Sequence, residues 1–255
     1  MPHLKSFAGL RMSAKYVSNW YLLLPIYSNI LSHATIKFRD GHKTEVYNNN
    51  FLEFYEDIYT RYLKDHGFKY DIQGKNVIVR TPEGLLLKLP KPPYSFVLDE
   101  IFIMTVYGKP DLTDRVVIDI GSSIGDTALF FANLGANEIH CYEIDKSLSY
   151  LSEENVKLNN LQNKIQIYNE AASIDSLRKL ISQEKLKNVF MKIDCEGCEI
   201  DILDSLDTDI IKHINDIVLE YHYHVEPLIN RLKSLGFNVR RKKEILFASK
   251  ASNIV

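Results

Sequence analysis

Five short, nearly continuous apolar runs, from Val116 onward and separated by amphipathic stretches, constrain this chain more than any other feature. The runs are "VVIDI", "EIHCYEI", "KIQIYNE", "NVFMKID" and "DIVLEYH"; between them lie "GDTALFFANLG", "SLSYLSEENVKLNN", "SIDSLRKLISQEK" and "EIDILDSL". Strands that are apolar at successive positions are buried on both faces, so the pattern predicts an α/β fold with a parallel sheet covered by helices on each side. Ligands of such sheets sit at the carboxyl ends of the strands. The tail departs from the alternation. "EPLINRLKSLGF" reads as a helix stopped by Gly236, and "NVRRKKEILFASK" as two strands with no room for a crossover helix. Two strands that close together pair as an antiparallel hairpin, because a parallel crossover needs about a dozen residues or more.

The segment before this alternation reads differently. "ATIKFRDGHKTEVYN" has two alternating strands around Asp40-Gly41, a dipeptide that accepts the positive φ of a tight turn. "NNFLEFYEDIYTRYLKDHGF" spaces Leu52, Phe54, Tyr55, Ile58, Tyr59 and Tyr62 as an amphipathic helix ending at Gly67. "KYDIQGKNVIVRTPEGLLLKLP" reads as further strands turned at Pro82-Glu83-Gly84, and "YSFVLDEIFIMTVYG" as a helix leading onward. The expected division is a mixed α/β cap over 1–110 and a ligand-binding domain over 111–255.

Composition narrows the function classes. With 45% hydrophobic residues, 25% charged residues and a formal net charge of -2, the chain has an ordinary globular balance and no general attraction to nucleic acid or membrane. The run "NWYLLLPIY" follows Lys5, Arg11 and Lys15 as a signal peptide would, but Pro25 interrupts it and no small-residue cleavage pattern follows. It also falls well short of the roughly 20 residues of a membrane span. Cys141, Cys195 and Cys198 form an odd set, which argues against a secreted disulfide framework and for a cytoplasmic protein.

The turn after the first run, Gly121-Ser122-Ser123-Ile124-Gly125, decides which nucleotide the pocket suits. A dinucleotide fingerprint is G-x-G-x-x-G, whose second glycine lets the backbone approach a pyrophosphate. Ser123 stands at that position, which points to a ligand without a pyrophosphate. Glu143, ending the second run, is suited to grip both hydroxyls of a ribose in either case.

These residues resemble the FkbM-type methyltransferases. The resemblance rests on "VVIDIGSSIGDTALFFA", on "CYEID" followed by "EENVKLNN", on "NEAAS", on "MKIDCEGCEIDIL" and on "VLEYH", in that order from about Arg115 to His222, and the terminal hairpin fits as well. It implies a class I methyltransferase Rossmann-like fold, mostly parallel with a C-terminal antiparallel hairpin. It also implies S-adenosyl-L-methionine as donor, S-adenosyl-L-homocysteine as product, and an O-methyltransferase acting on a small-molecule, glycan or lipid-type hydroxyl. Carried onto this chain, it places Asp119, Gly121, Ser123 and Gly125 on the methionine side and Asp126 with Thr127 at the opening of the next helix. Glu143 and Ile144 would meet the ribose and adenine face, Glu170 and Ala171 the adenine edge, and Asp194 the methyl group. Two readings compete: an NAD-type oxidoreductase, opposed by Ser123 and the hairpin, and a binding module that keeps the fold without turnover.

A hydroxyl acceptor of high pKa needs a base nearby. The candidates are His222 or Glu196, with Asp194 orienting donor or acceptor. Against them stand plainer roles: Glu196 and Glu199 as carboxylates at a helix N-terminus, and His222 as a polar strand end, as His224 is expected to be. His140, among apolar neighbours, reads as a core histidine. No metal is expected, although Asp194, Glu196 and Glu220 are hard-cation ligands by type. The family motif runs lysine, apolar, aspartate, apolar, glutamate, glycine, alanine, glutamate, whereas this chain has "KIDCEGCE". Cys195 and Cys198 are therefore expected to be inert packing thiols, with a redox C-x-x-C pair as the alternative. The basic stretch "RLKSLGFNVRRKKE" reads as a solvated face.

Overall fold

The computed structural model describes residues 7–73, 76–90, 95–183 and 186–250. They form two compact units, one reaching Gly84 and resuming over Leu89–Asp99, the other made of Leu85–Lys88 and everything from Glu100. The division therefore lies near residue 100, and the short segment 85–88 joins the second unit. Lys5, Gly74 and Tyr94, which figure in the sequence patterns above, lie outside the described residues.

The first unit contains α1 (Phe7–Tyr16), a 3-10 turn at Trp20–Leu22, α2 (Leu23–Tyr27), the hairpin β1 (His33–Lys37) and β2 (Lys43–Tyr47), α3 (Phe51–Asp65), and the antiparallel pair β3 (Lys69–Gln73) and β4 (Asn76–Arg80). Helix α3 supplies the core, burying Phe51, Phe54, Tyr55, Ile58, Tyr59 and Leu63. Its phase is offset at the start from the one the apolar spacing predicts, since Phe51 rather than Leu52 faces inward. Against it pack Leu23, Ile26, Ile36 and Val46. The chain then runs through β5 (Leu86–Leu89) and α4 (Ser95–Leu98), and the long helix expected there gives way to a π-helical turn at Asp99–Ile103.

The second unit alternates as its sequence requires: β6 (Val116–Ile120), α5 (Asp126–Asn133), β7 (Glu138–Tyr142), α6 (Lys146–Leu158), β8 (Ile165–Tyr168), α7 (Ile174–Gln183), β9 (Val189–Ile193), α8 (Glu199–Ser205), α9 (Thr208–Ile211), β10 (Ile214–Glu220), α10 (Val225–Ser234), β11 (Asn238–Lys242) and β12 (Ile245–Ser249). The seven strands lie in the order β11-β12-β10-β9-β6-β7-β8. Strands β8, β7, β6, β9 and β10 are parallel, and β12 runs antiparallel to both β10 and β11. The reversal follows from the two-residue turn at Lys243-Glu244, with Lys243 at φ 55°.

Strand β9 is buried at every position, as a central strand between two helical layers must be. The edge strand β11 is mostly exposed and carries Arg240, Arg241 and Lys242. Charges of this kind discourage edge-to-edge pairing. A sheet of this order, with one antiparallel strand inserted next to the last parallel one, is the class I methyltransferase Rossmann-like fold. Among the described residues no helix is long and apolar enough to cross a membrane.

Candidate active site

The carboxyl ends of β6, β7, β9 and β10 converge on one polar cluster in the second unit. The chain leaves β6 through a turn with Gly121 at φ 78°, Ser123 at 48° and Gly125 at 81°. The Tyr142 carbonyl accepts from the Gly121 and Ser122 N–H groups at 2.9 and 3.1 Å, which draws the turn across the end of β7. Two glycines are obligatory here for different reasons. A Cβ on Gly121 would stand 1.8 Å from the Asp194 carbonyl oxygen, and one on Gly125 would stand 2.5 Å from Ser152 Oγ. The first close approach lets the turn lie against the end of β9; the second lets α6 pack beneath it.

Glu143 faces this turn. Its Oε2 accepts from the Ser123 N–H at 2.9 Å and its Oε1 from the Asp145 N–H at 2.8 Å. Each oxygen keeps lone-pair capacity beyond its single bond, so the carboxylate is fixed yet still able to receive hydroxyl donors. Ile144 beside it is 73% exposed, an apolar surface next to a polar grip. Asn169 donates to the carbonyls of Glu143 and Ile144 at 2.9 and 3.2 Å and ties the exposed loop holding Glu170 and Ala171 to the same place. These residues fit an adenosine: an acidic anchor for its ribose, an exposed apolar side chain for its base, and a backbone turn with no side chain at its two tightest points.

Asp126 and Thr127 open α5. Both side chains are buried, and the Thr127 hydroxyl donates to Asp119. Burial, only partly offset by Lys192, pushes the Asp126 carboxyl up to about 7. What these two residues offer outward is the backbone N–H array at the start of α5, which favours negative charge.

Lys192, which no expectation singled out, organises the centre. It is 1% exposed. Its Nζ lies 3.0 Å from Asp119 Oδ1 and 3.7 Å from Asp194 Oδ2, and it donates to the Gly121 carbonyl at 2.6 Å. Burial opposes its charge, but Asp119 and Asp194 outweigh burial and hold the ammonium form. The signal was present in the sequence as a lysine inside the otherwise apolar run "VFMKI".

Tyr107 also goes unannounced by any pattern. Its hydroxyl lies 2.6 Å from Asp194 Oδ2 and 3.0 Å from Glu220 Oε2. Burial, reinforced by the charge of Asp194, pushes Glu220 up to about 7. The Tyr107 hydroxyl is the donor to both carboxyls and ties Asp194 to Glu220. Burial and both carboxylates raise the Tyr107 hydroxyl well above its ordinary range, so it stays protonated in this role.

The candidate bases come together as well. His222 Nδ1 lies 2.7 Å from Glu199 Oε1, and its Nε2 lies 3.5 Å from Glu196 Oε2 and 3.8 Å from Asp194 Oδ1. Burial lowers the imidazole's affinity for a proton, but the Glu199 bond and the charges of Glu196 and Asp194 more than reverse this, so its pKa is raised. Glu199 is buried at the first position of α8 and also accepts from the Gly197 N–H at 3.1 Å. Glu196 itself is 84% exposed and makes no cap. The donor atoms of Asp194, Glu196 and His222 lie within 4.8 Å of one another, a spacing that could hold a cation. His140, expected in the core, is buried and stacks on Tyr168, its Nδ1 3.0 Å from the Tyr168 hydroxyl. His224 is exposed at the start of α10.

The cysteines do not behave as expected. Cys195 and Cys198 are joined in a disulfide with 5.6 Å between their Cα atoms, while Cys141 is a buried free thiol. The expectation of inert packing thiols rested on the residues they replace; the sharp turn at Glu196 and Gly197, with φ of 56° and 122°, brings the two side chains together instead.

The fold is that of the class I methyltransferases, and the polar cluster lies at the carboxyl ends of its strands, where such sheets take their ligands. Within that class, residues 102–193 match the family described as Ribosomal protein L11 methyltransferase (PrmA). "Uncharacterized protein 65" of Sulfolobus islandicus filamentous virus (isolate Iceland/Hveragerdi) is 32% identical over 106 residues, 42% of this chain. The match spans 58% of that viral protein's length. Precorrin-6y C5,15-methyltransferase from Geobacter metallireducens superposes with a TM-score of 0.44 at 19% identity, over 58% of this chain and 87% of that one. TYW2 of M. jannaschii in complex with AdoMet gives a TM-score of 0.47 at 15% identity, over 70% and 85%.

Proposed function

We propose that this protein is an S-adenosylmethionine-dependent O-methyltransferase of the FkbM type, working in the cytoplasm on a hydroxyl of a small-molecule, glycan or lipid-type acceptor. The observation that carries the oxygen assignment is the His222–Glu199 pair. The buried carboxylate takes the Nδ1 hydrogen and leaves Nε2 turned toward Asp194 and Glu196, the arrangement of an imidazole able to accept a hydroxyl proton. A sulfonium donor supplies its own leaving group, so the chain's task is to align the acceptor and manage its proton.

Glu143, with Ile144 and the loop at Glu170 and Ala171, would hold the nucleoside; Gly121, Ser123 and Gly125 would leave room for the amino-acid end, beside Asp119. The start of α5 at Asp126 and Thr127 would face its carboxylate. Lys192 holds Asp119 and Asp194 in place, and Tyr107 donates to the same Asp194 oxygen, Oδ2. Around the acceptor position Asp194, Glu196 and Glu220 present acid rather than base, which opposes a phosphate backbone and supports an acceptor other than nucleic acid. The likeness of residues 102–193 to a ribosomal-protein methyltransferase favours a second reading, in which the acceptor is a ribosomal protein.

The test is transfer from methyl-tritiated S-adenosylmethionine to separate pools of hydroxylated small molecules, glycans, total RNA and ribosomal protein. Label in a hydroxyl-bearing small acceptor, lost with His222→Ala, is the expected result. Label in ribosomal protein would replace this reading with the second, and label in RNA would contradict both.

A further inference from the structure

Methyl transfer as proposed makes no use of the Cys195–Cys198 pair, although it straps the loop that carries Glu196. We propose that this pair is a thiol–disulfide exchange site that takes a dithiol reductant and thereby sets the acceptor side of the active site; the inference rests on the functional reading just given. Unlike the fully buried Cys141, both sulfurs belong to half-buried residues at the rim of the sheet.

The bridge encloses Glu196 and Gly197, two successive residues in the left-handed region. A non-glycine residue such as Glu196 stays there only where its surroundings hold it. Two contacts run from this loop to the proposed base, and a third meets the residue that follows it. Glu196 Oε2 lies 3.5 Å from His222 Nε2. The Gly197 N–H donates to Glu199 Oε1, the same oxygen that meets His222 Nδ1. The Tyr223 ring lies over Gly197, with its edge 3.5 Å from where a Cβ would stand. Loop, Glu199 and His222 thus form one hydrogen-bonded unit, and the disulfide is its covalent strap. The donor side is held by bonds of its own, from Ser123 and Asp145 to Glu143 and from Gly121 and Ser122 to Tyr142.

In the exchange, a thiolate of the reductant attacks one Sγ, the S–S bond breaks and a mixed disulfide forms. The reductant's second thiol then attacks that bond and leaves as a disulfide, and two electrons and two protons pass to the cysteine pair. Freed of the strap, Glu196 leaves the left-handed conformation and the Gly197 bond to Glu199 opens more often.

The experiment compares the full chain after oxidised dithiothreitol, after reduced dithiothreitol, and as the Cys195→Ser/Cys198→Ser variant. Alkylation in denaturant is expected to count one thiol per chain in the oxidised form, that of Cys141, and three after reduction. Amide hydrogen exchange over residues 196–199 is expected to rise about tenfold or more on reduction and in the variant, while residues 121–125 are unchanged. S-adenosylhomocysteine affinity is expected to be the same in all three. Three thiols after the oxidant, or equal exchange at 196–199 in both states, overturns the proposal. Loss of S-adenosylhomocysteine binding on reduction overturns its restriction to the acceptor side. If that ligand binds in no state, the methyltransferase reading fails, and the exchange comparison still decides the thiol site.

Discussion

Replacing Lys192 with methionine tests the buried centre of the site. The ammonium group lies 3.0 Å from Asp119 and donates at 2.6 Å to the Gly121 carbonyl, with all of it enclosed. Methionine fills most of the volume, so the loss is electrostatic. Removing one partner of a buried ion pair costs about 3–5 kcal/mol, because the remaining charge is left without compensation. Two lost hydrogen bonds to a charged donor, at about 1.5–3 kcal/mol each, give the same range. For a unit of this size the melting temperature would fall by roughly 10 °C. The sign with pH is also determined. Asp126, raised to about 7 by burial against the opposing charge of Lys192, loses that opposition and takes up a proton on folding more fully, and proton uptake on folding makes stability fall as pH rises. Urea unfolding at pH 5 and pH 8 is the assay: the deficit of Lys192→Met is expected to be larger at pH 8, and Asp119→Asn in the same chain to restore most of it. A deficit below about 1 kcal/mol, equal deficits at the two pH values, or no recovery in the double variant would refute the reasoning.

Three further outcomes are expected. Gly121→Ala places a Cβ 1.8 Å from the Asp194 carbonyl at a φ of 78°, and soluble expression or thermal unfolding should report a loss of several kcal/mol. Asp126→Asn should flatten the dependence of stability on pH. The Asp126 carboxyl is raised to about 7 by burial, so its contribution is full below its unfolded value near 3.8 and is lost as pH rises through 7. The amide variant should gain on the order of 2 kcal/mol over the parent at pH 8 in denaturant titrations. His222 should titrate above 6.5 in an NMR experiment, and Glu199→Gln should move it down, because the largest force raising it is the bond to Glu199.

The architecture was legible because burial on both faces leaves its mark as unbroken apolar runs, and because thirteen letters from Asn238 to Lys250 leave no space for a crossover. Gly121, Gly125 and Glu143 were legible for the same reason: their positions after strands demand a tight turn and a strand-end acid. Lys192 was visible as a charge in a buried strand, but its partners come from β6 and from the turn after it, and sequence proximity does not show that. Tyr107 lies near the end of the stretch read as a helix before β6, where nothing marks it out, and only the fold brings it to Asp194. The cysteine pair illustrates the other limit. Spacing of three fits packing thiols and a disulfide equally, and the left-handed backbone at Glu196 and Gly197 decides between them.

The central claim is that the turn at Gly121–Gly125 and the carboxylate of Glu143 form the nucleoside site of a methyl donor. Isothermal titration of the full chain and of Glu143→Ala with S-adenosylhomocysteine, and separately with NAD, tests it most directly. The account predicts binding of S-adenosylhomocysteine alone, weakened about tenfold or more by the substitution, as loss of a charged hydrogen-bond acceptor requires. Binding of NAD, or S-adenosylhomocysteine affinity unchanged by Glu143→Ala, would contradict it.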